Sequence, residues 1–373
     1  ARSAIPPGQG GQGGVPLPPE AYPLIDISTL NPAQLEAVTA PDGPVLVIAG
    51  AGSGKTRTIV HRLAWLAEQG VPPSSMLLLT FTRKASREML LRAADLLGYS
   101  LGGVNGGTFH GFAFAALRQY RPAWAEGPVT VMDSADSASA IQQCKERLKI
   151  GKGDRSFPKI QTVIGLLSKA RNKEIAIGDV LQREAPHLLP HADALAEIDA
   201  AYRAYRRRHG LLDYDDLLFE LEDLLRGDPE TGREGLAPLF RERYRYLMVD
   251  EYQDTNRVQA RLVRLLAGEN GNVMAVGDDA QSIYAFRGAD VRNILDFPKL
   301  FPDTRIIRLE ENYRSTQPIL DVANAVLASA SEGYHKNLFT RRERTDATPR
   351  VRLMRPMSDL SQANLVADRV EAL

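Results

Sequence analysis

The chain has 373 residues, of which 44% are hydrophobic and 25% charged, a composition typical of a folded protein of two or three domains. Its 46 basic and 46 acidic side chains balance, so the bulk charge does not indicate nucleic-acid binding, and any such surface must be local. A single cysteine, Cys144, excludes a disulfide framework and fits a reducing, cytoplasmic setting, while no apolar run approaches the roughly 18 residues of a membrane span.

Glycine, proline and glutamine dominate residues 1–23, where we expect a disordered tail, because such a segment cannot offset the entropy of ordering. From residue 24 onward, apolar runs alternate with helix-like patterns and predict an α/β fold with a mostly parallel sheet. The predicted strands are 45–49, 76–80, 245–249, 272–276 and 304–309, with a further candidate at 350–354. Residues 112–225 are mainly helix-patterned instead, which predicts an insertion within the α/β part.

The most informative segment is a glycine-rich turn between an apolar run and a helical pattern. It consists of Ala49, Gly50, Ala51, Gly52, Ser53, Gly54, Lys55 and Thr56. Backbone N–H groups in such a turn converge on an anion, and the helix N-terminus adds its positive dipole end. We therefore predict a phosphate-binding P-loop rather than a turn that binds nothing, with Lys55 on the terminal phosphates and the Thr56 hydroxyl on Mg²⁺. Ala49 replaces the first glycine of the usual pattern and is small enough for the turn to close.

A pair of acidic residues, Asp250 and Glu251, follows the predicted strand 245–249. Ligands of open α/β sheets bind at this carboxyl end of the strands. Beside a P-loop, Asp250 is expected to hold Mg²⁺ and Glu251 to orient or deprotonate the attacking water, whereas alone the pair would only begin a solvated loop. The chain between Lys55 and Asp250 exceeds a typical domain of ~100–150 residues, which again indicates an insertion.

Three further clusters, 80–84, 107–111 and 277–288, lie at expected strand ends and combine aromatic residues with hydroxyl, amide or basic side chains. Aromatic faces stack on bases of any identity, and arginine and hydroxyl groups hold phosphates. The alternative is core packing for each aromatic and a buried structural role for His110. The arginines at 203 and 206–208 predict a solvated helix face or a DNA contact, and the acids at 213, 215 and 216 predict a helix cap.

Together these segments resemble the superfamily 1 DNA helicases of the UvrD/PcrA/Rep type, over residues 25–373. The segments similar to that family's motifs are 30–34 (Q motif), 49–56 (Walker A), 80–82, 108–110, 249–254 (DExx box), 277–288 and 311–315. The resemblance implies that Gln34 contacts adenine and that Tyr313 stacks on it. Phe286 stands where family members often have tryptophan, which offers a larger stacking face.

The resemblance also implies a set of site residues. The expected catalytic residues are Lys55, Glu251, Gln281, which senses the γ-phosphate, and Arg314, which touches it. The expected nucleotide-binding residues are Gln34, Ala49, Gly50, Ala51, Gly52, Ser53, Gly54, Lys55, Thr56, Arg57, Tyr313 and Arg314, and the expected metal ligands are Thr56 and Asp250. Single-stranded DNA is expected to meet Phe81, Thr108, His110, Tyr284, Phe286 and Arg287.

The fold that the resemblance implies is a RecA-like P-loop NTPase domain, 24–111 and 226–303, interrupted by a helical insertion, 112–225, and followed by an incomplete second RecA-like domain, 304–373. Two later family motifs have no match, so we expect an N-terminal portion of such a protein. The implied function is an ATP- and Mg²⁺-dependent 3′-to-5′ helicase or translocase of DNA repair or replication, acting on single-stranded and 3′-tailed duplex DNA.

Three alternatives to this function stay open. The first is an ATP-gated module that binds single-stranded DNA without motor activity, and the second is a subunit of a helicase–nuclease. The third is a P-loop small-molecule kinase, which would leave the three aromatic clusters unexplained.

Overall fold

A computed structural model describes residues 25–268, 271–342 and 351–372, with Arg287 described in its backbone only. The tail predicted for residues 1–23 lies outside these ranges. In the part of the chain that is described, no helix combines the length and apolar character needed to cross a bilayer.

The strands and helices follow the alternation that the sequence predicts. The strands are β1 (Val45–Ala49), β2 (Met76–Thr80), β3 (Asn105–Thr108), β4 (Thr130–Val131), β5 (Leu211–Leu212), β6 (Gly227–Asp228), β7 (Arg233–Glu234), β8 (Tyr246–Val249), β9 (Asn272–Gly277) and β10 (Arg305–Leu309). The helices are α1 (Pro32–Val38), α2 (Lys55–Glu68), α3 (Arg83–Leu97), α4 (Phe109–Tyr120), α5 (Ser134–Leu148), α6 (Ile160–Lys173), α7 (Ile177–Glu184), α8 (Ala192–His209), α9 (Asp216–Arg226), α10 (Ala237–Arg243), α11 (Arg257–Ala267), α12 (Arg292–Leu295), α13 (Phe297–Leu300), α14 (Gln317–Ala328) and α15 (Asp359–Glu371).

Six strands form one parallel sheet in the order β10-β1-β9-β8-β2-β3. Strands β1 and β2 are buried at every residue, which explains their near-continuous apolar sequences, since a parallel sheet is covered on both faces. Side chains of β1 alternate between two cores: Leu46 and Ile48 face one, and Val47 faces the other. The α/β prediction with a mostly parallel sheet is confirmed.

A third core lies outside the sheet, between Met132 and Tyr202, and is built by α5 to α8. This core lies within residues 112–225, the bounds predicted for a helical insertion, but it does not include the helices at the two ends of that range. Helices α4 and α9 pack instead with the sheet, because their apolar stripes, which include Leu117 and Leu221, belong to the core on its first face.

The first strand of the segment predicted as a second domain, 304–373, lies in the six-stranded sheet. Strand β10 pairs with β1 in parallel register, from Val45 opposite Arg305 to Ala49 opposite Leu309. The strand therefore extends the first sheet, because an apolar strand pattern does not state which neighbour the strand will join. The strand predicted at 350–354 is also absent from residues 351–354, which form no regular structure, while residue 350 lies outside the described ranges.

Candidate nucleotide and DNA site

The segments that the sequence singles out meet at one edge of the sheet. Since the six strands run parallel, the carboxyl ends of β1, β8, β9, β2 and β3 lie side by side. The glycine-rich turn follows β1, the acidic pair follows β8, and the cluster 277–288 begins at the end of β9. The edge therefore gathers segments that are far apart in the chain.

The glycine-rich turn requires glycine at two positions. Gly52 and Gly54 have φ of 75° and 91°, in the left-handed region that side chains disfavour. A Cβ on Gly54 would lie 2.5 Å from Nε2 of Gln34, and one on Gly52 would lie 2.7 Å from Cβ of Arg314. The turn is closed by Ser53, whose hydroxyl donates to the Gly50 carbonyl over 2.7 Å. Ala49 ends β1 fully buried, so alanine fits where glycine is usual.

The cation of the turn pairs with an acid that follows β8. Lys55 Nζ lies 2.8 Å from Oε2 of Glu251. Glu251 itself has φ of 51°, a conformation that is uncommon for a residue with a side chain and is concentrated at functional sites. Two groups predicted to act on a phosphate and on water therefore stand in direct contact.

Asp250 has the features of a divalent-cation ligand. Asp250 is 7% exposed, and its Oδ1 has no hydrogen-bond partner among the described atoms. Burial, with a further contribution from the negative charge of Glu251, raises the pKa of Asp250 to about 6. Within the described ranges, no group of three or more His, Cys, Asp or Glu side chains forms a metal cage. The donors fit Mg²⁺, which is commonly held by one or two protein groups plus substrate phosphates.

Helix α1 holds the turn from the side. Gln34 is fully buried, accepts from the Asn31 backbone N–H through Oε1, and donates from Nε2 to the Ser53 carbonyl over 3.0 Å. One Nε2 hydrogen remains for any further partner, so adenine contact by Gln34 stays a prediction. Asn31 Nδ2 also donates to the Tyr313 hydroxyl over 2.9 Å, which places a half-exposed ring beside the turn.

The segment after β10 is bonded to the same turn. Asn312 donates from Nδ2 to the Ala51 carbonyl, and the Tyr313 N–H donates to the Gly52 carbonyl over 2.9 Å. Asn312 Oδ1 in turn accepts the backbone N–H of Arg314 over 2.9 Å. Sequence reasoning did not identify Asn312 as a separate site residue, although its place inside the motif-like segment 311–315 was a usable signal. Arg57 bonds to Thr29 rather than to this segment.

A buried glutamine, Gln253, links the acidic pair to the segment after β9. Its Nε2 donates to Glu251 Oε2 over 2.9 Å, and its Oε1 accepts the Asp278 N–H over 3.0 Å. Gln281, the expected γ-phosphate sensor, donates from Nε2 to Asp278. Sequence reasoning placed Gln253 in the DExx box but missed this role, because only the fold shows that the strand ends after β8 and β9 are adjacent.

The expected DNA-contacting side chains share one region. A cavity of about 400 Å³ is lined by residues of both the sheet domain and the helical insertion, among them Phe81, Thr108, His110, Lys169, Asn172, Tyr214, Asn256, Gln259 and Phe286. The ring of Tyr284 lies 5.6 Å from that of Phe81 and 5.8 Å from that of Phe286. Phe286 is 62% exposed, so core packing does not account for it. The side chain of Arg287 lies outside the described atoms.

His110 and Tyr214 form a stacked pair across this cavity, with ring centroids 4.0 Å apart. Burial lowers the pKa of His110 to about 4, so the ring is neutral at physiological pH. Thr108 caps α4 by accepting the Gly111 N–H. Sequence reasoning singled out neither Lys169 nor Tyr214, which lies among the acids at 213, 215 and 216, because only the folding of the helical insertion brings both side chains to the cavity.

The arginine run at 203–208 is not a wholly solvated face. Arg206 is buried and ion-paired with Asp213 and Asp216, while Arg203 pairs with Asp199. Two of the three acids predicted to cap a helix, Asp213 and Asp216, are therefore partners of a buried cation. Asp213 also accepts the Asp216 N–H at the start of α9.

The family model for the UvrD/REP helicase N-terminal domain matches residues 30–302. DNA helicase II of Escherichia coli (strain K12) is 36% identical over 351 residues, which cover 92% of this chain and 46% of that protein. ATP-dependent DNA helicase PcrA of Staphylococcus epidermidis is 36% identical over 346 residues (92% and 46%), and that of Staphylococcus aureus is 39% identical over 316 residues (84% and 42%). The chain spans less than half the length of these relatives. It belongs to the UvrD/REP helicase family, matching that family's N-terminal domain.

Proposed function

We propose that this chain forms the ATP-binding and DNA-tracking part of an ATP-dependent DNA helicase that moves 3′ to 5′ on single-stranded DNA. The observation that carries the proposal is that the glycine-rich turn and the aromatic cavity lie close together at one edge of the sheet. The Lys55–Glu251 pair and the Phe81–Tyr284–Phe286 rings are joined through Gln253 and the segment 277–288. The relatives named as DNA helicases support the same reading.

In the proposed reaction, the N–H groups of residues 50–54 and Lys55 bind the phosphates of ATP. Glu251 orients the attacking water, and its contact with Lys55 is exchanged for one between Lys55 and phosphate. Thr56 and Asp250 would hold Mg²⁺, which neutralises phosphate charge when bound. Arg314, whose Cβ lies close enough to Gly52 that a Cβ added there would be 2.7 Å away, supplies further positive charge.

The base of the nucleotide is proposed to lie against the ring of Tyr313, a residue that is 41% exposed and is anchored through its hydroxyl to Asn31. A ring fixed at one end and open on a face suits stacking, since little rotamer freedom is lost on binding. Gln34 then acts mainly by holding the turn at Ser53.

Single-stranded DNA is proposed to cross the cavity, with bases on Phe81, Tyr284 and Phe286 and phosphates near Lys169. Because the loop 277–288 carries both Gln281 and two of the rings, a change at the γ-phosphate would alter the surface beneath the DNA. Strand displacement from 3′-tailed duplexes would serve repair or replication.

The test is strand displacement with 3′-tailed and 5′-tailed duplexes, using the chain extended to the length of its relatives. We expect ATP-dependent displacement of the 3′-tailed substrate only, abolished by Lys55→Ala, since Lys55 is the cation of the phosphate turn. ATP-dependent DNA binding without displacement would instead identify a binding module. Hydrolysis by Lys55→Ala near the parental rate would refute the assignment of the turn.

A further inference from the structure

Residues 333–340, which we call the strap, lie across the proposed nucleotide site. No sequence motif singles this segment out. Leu338 packs on the turn so closely that a Cβ on Gly50 would lie 2.5 Å from its Cδ2. The Phe339 carbonyl accepts the Asn312 N–H over 2.7 Å. The strap therefore contacts both the phosphate turn and the segment after β10 that is bonded to the turn.

The strap also contributes a buried cation. The side chain of Lys336 is 2% exposed, and its Nζ donates to Asp278 and, over 2.8 Å, to Asp279. These two carboxylates are themselves 4% and 9% exposed. Asp279 additionally accepts the Tyr334 N–H over 3.0 Å. One lysine thus compensates two carboxylates that would otherwise be buried side by side without a cation.

Both carboxylate oxygens of Asp278 are engaged around the site. Oδ1 accepts from Lys336 and from the Ala280 N–H, and Oδ2 accepts from the side-chain amide of Gln281. Lys336 therefore fixes the carboxylate that in turn fixes the side chain of Gln281.

The same aspartate connects Lys336 to the acidic pair. The Asp278 N–H donates to Gln253 Oε1 over 3.0 Å, and Gln253 Nε2 donates to Glu251 Oε2 over 2.9 Å. That Glu251 oxygen also accepts from Lys55 over 2.8 Å. An unbroken series of bonds therefore runs from the strap to the phosphate-binding lysine.

We propose that Lys336 is a positioning residue for nucleotide hydrolysis, which clamps Asp278 so that Gln281 and Gln253 are held in the geometry the reaction needs. The proposal rests on the proposed function, because it assigns Lys336 to the same nucleotide site. Removing the ammonium would leave two buried carboxylates that repel each other, and the segment 277–281 would rearrange to hydrate them.

The experiment compares Lys336→Met with the parent in the chain extended to the length of its relatives. We expect the hydrolysis rate at saturating ATP to fall about 10–100-fold, the range typical when a group that orients a reacting residue is lost. The affinity for a fluorescent ATP analogue should change less than the rate. Hydrogen exchange of the backbone amides at 277–282 should accelerate, which reports the clamp without depending on activity.

A matched control exists in the helical insertion. Arg206 is also a buried cation paired with two aspartates, Asp213 and Asp216, away from the nucleotide site. Arg206→Met should lower the melting temperature as Lys336→Met does, yet leave the hydrolysis rate and the exchange at 277–282 unchanged.

A second variant separates positioning from stability. Lys336→Met combined with Asp279→Asn removes one uncompensated charge, so the melting temperature should recover while the rate stays low, because Asp278 remains unclamped. Recovery of both quantities, or a parental rate in Lys336→Met, would overturn the positioning role. A parent that does not hydrolyse ATP would refute the proposed function instead, and the exchange measurement would still decide whether Lys336 holds the segment.

Discussion

Glu251 shows how a single residue is placed by an unfavourable backbone conformation. Its φ of 51° lies in a region that costs a residue with a side chain of order 1–3 kcal/mol, and the surrounding bonds hold it there. Oε2 reaches both Lys55 and Gln253 from this position. The backbone conformation of Glu251 and its contacts with Lys55 and Gln253 support a role at the reacting phosphate more strongly than the presence of a glutamate does by itself.

We predict that Glu251→Gln lowers ATP turnover by ~10²-fold or more while ATP·Mg²⁺ binding persists, because the amide cannot act as a base and Asp250 remains as the metal ligand. Turnover and binding are measured separately, with Glu242→Gln on the exposed surface of α10 as the charge-matched control. Weakened binding with unchanged turnover would show that the two acids have been assigned the wrong roles.

Phe286 is predicted to stack on DNA rather than to support the fold. Phe286→Ala should weaken binding of a labelled single-stranded oligonucleotide by ~1–3 kcal/mol, the value of one lost base stack. Ile283→Ala is the control, since Ile283 is 71% exposed in the same loop but has no ring. Normal DNA binding together with an earlier thermal melt of Phe286→Ala would assign the ring to the core.

Among the secondary-structure elements, α1 has a larger part in the site than its seven residues indicate. Asn31 caps the helix and bonds Tyr313, while Gln34 belongs to the same capping box and bonds the turn at Ser53. The box thus satisfies the helix N-terminus and fixes two sides of the proposed nucleotide site. The sequence shows the capping signal at Asn31 and Gln34, but it does not show that Asn31 also bonds Tyr313 and that Gln34 also bonds Ser53.

Gly54→Ala should lower both the melting temperature and the affinity for nucleotide, because the new Cβ meets Nε2 of Gln34 in addition to the strain at φ 91°. The left-handed conformation alone costs a residue with a Cβ about 1–2 kcal/mol. Gly70→Ala is the control: Gly70 has φ of 79°, and none of the described atoms lies within 4 Å of an added Cβ. If both variants lowered the melting temperature equally and nucleotide affinity were retained, the proposed support of the turn by Gln34 of α1 would be contradicted.

On the scale of the whole molecule, the sheet and the helical insertion act together. The cavity assigned to DNA has walls from both, and Arg261 on α11 bonds Glu174 beyond α6 and Glu222 on α9. These ion pairs connect the helices that pack on the sheet with the helical insertion. The position of the insertion is therefore expected to influence the shape of that cavity.

The chain by itself is predicted to bind ATP weakly and not to unwind duplex DNA, since it spans less than half of its helicase relatives. The family resemblance implies that the two motifs without a match supply a further catalytic arginine. An arginine that stabilises phosphoryl transfer is worth ~10³–10⁵ in rate in GTPases. Strand displacement is compared between residues 1–373 and a form extended beyond Leu373. Robust unwinding by residues 1–373 alone would show that this chain contains everything the motor requires.

The sequence by itself determined the parallel α/β class and the family. Both depend on contiguous residues: apolar runs of strand length, the turn from Ala49 to Thr56, and Asp250–Glu251 after β8. Local chemistry of this kind is visible in the sequence because a phosphate turn or a buried strand needs particular residues at fixed short spacing.

Only the tertiary structure decided where β10 pairs, which helices leave the insertion for the sheet core, and how Gln253, Asn312, Tyr214 and Lys336 join the site. Each of these depends on contacts between residues far apart in the chain. The burial that makes Lys336 a partner of Asp278, for example, arises from the packing of a strap some sixty positions later, which no local pattern encodes. Strand neighbours and buried charge pairs are selected by the free energy of the whole fold, so the sequence supplies the candidates and the packing selects among them.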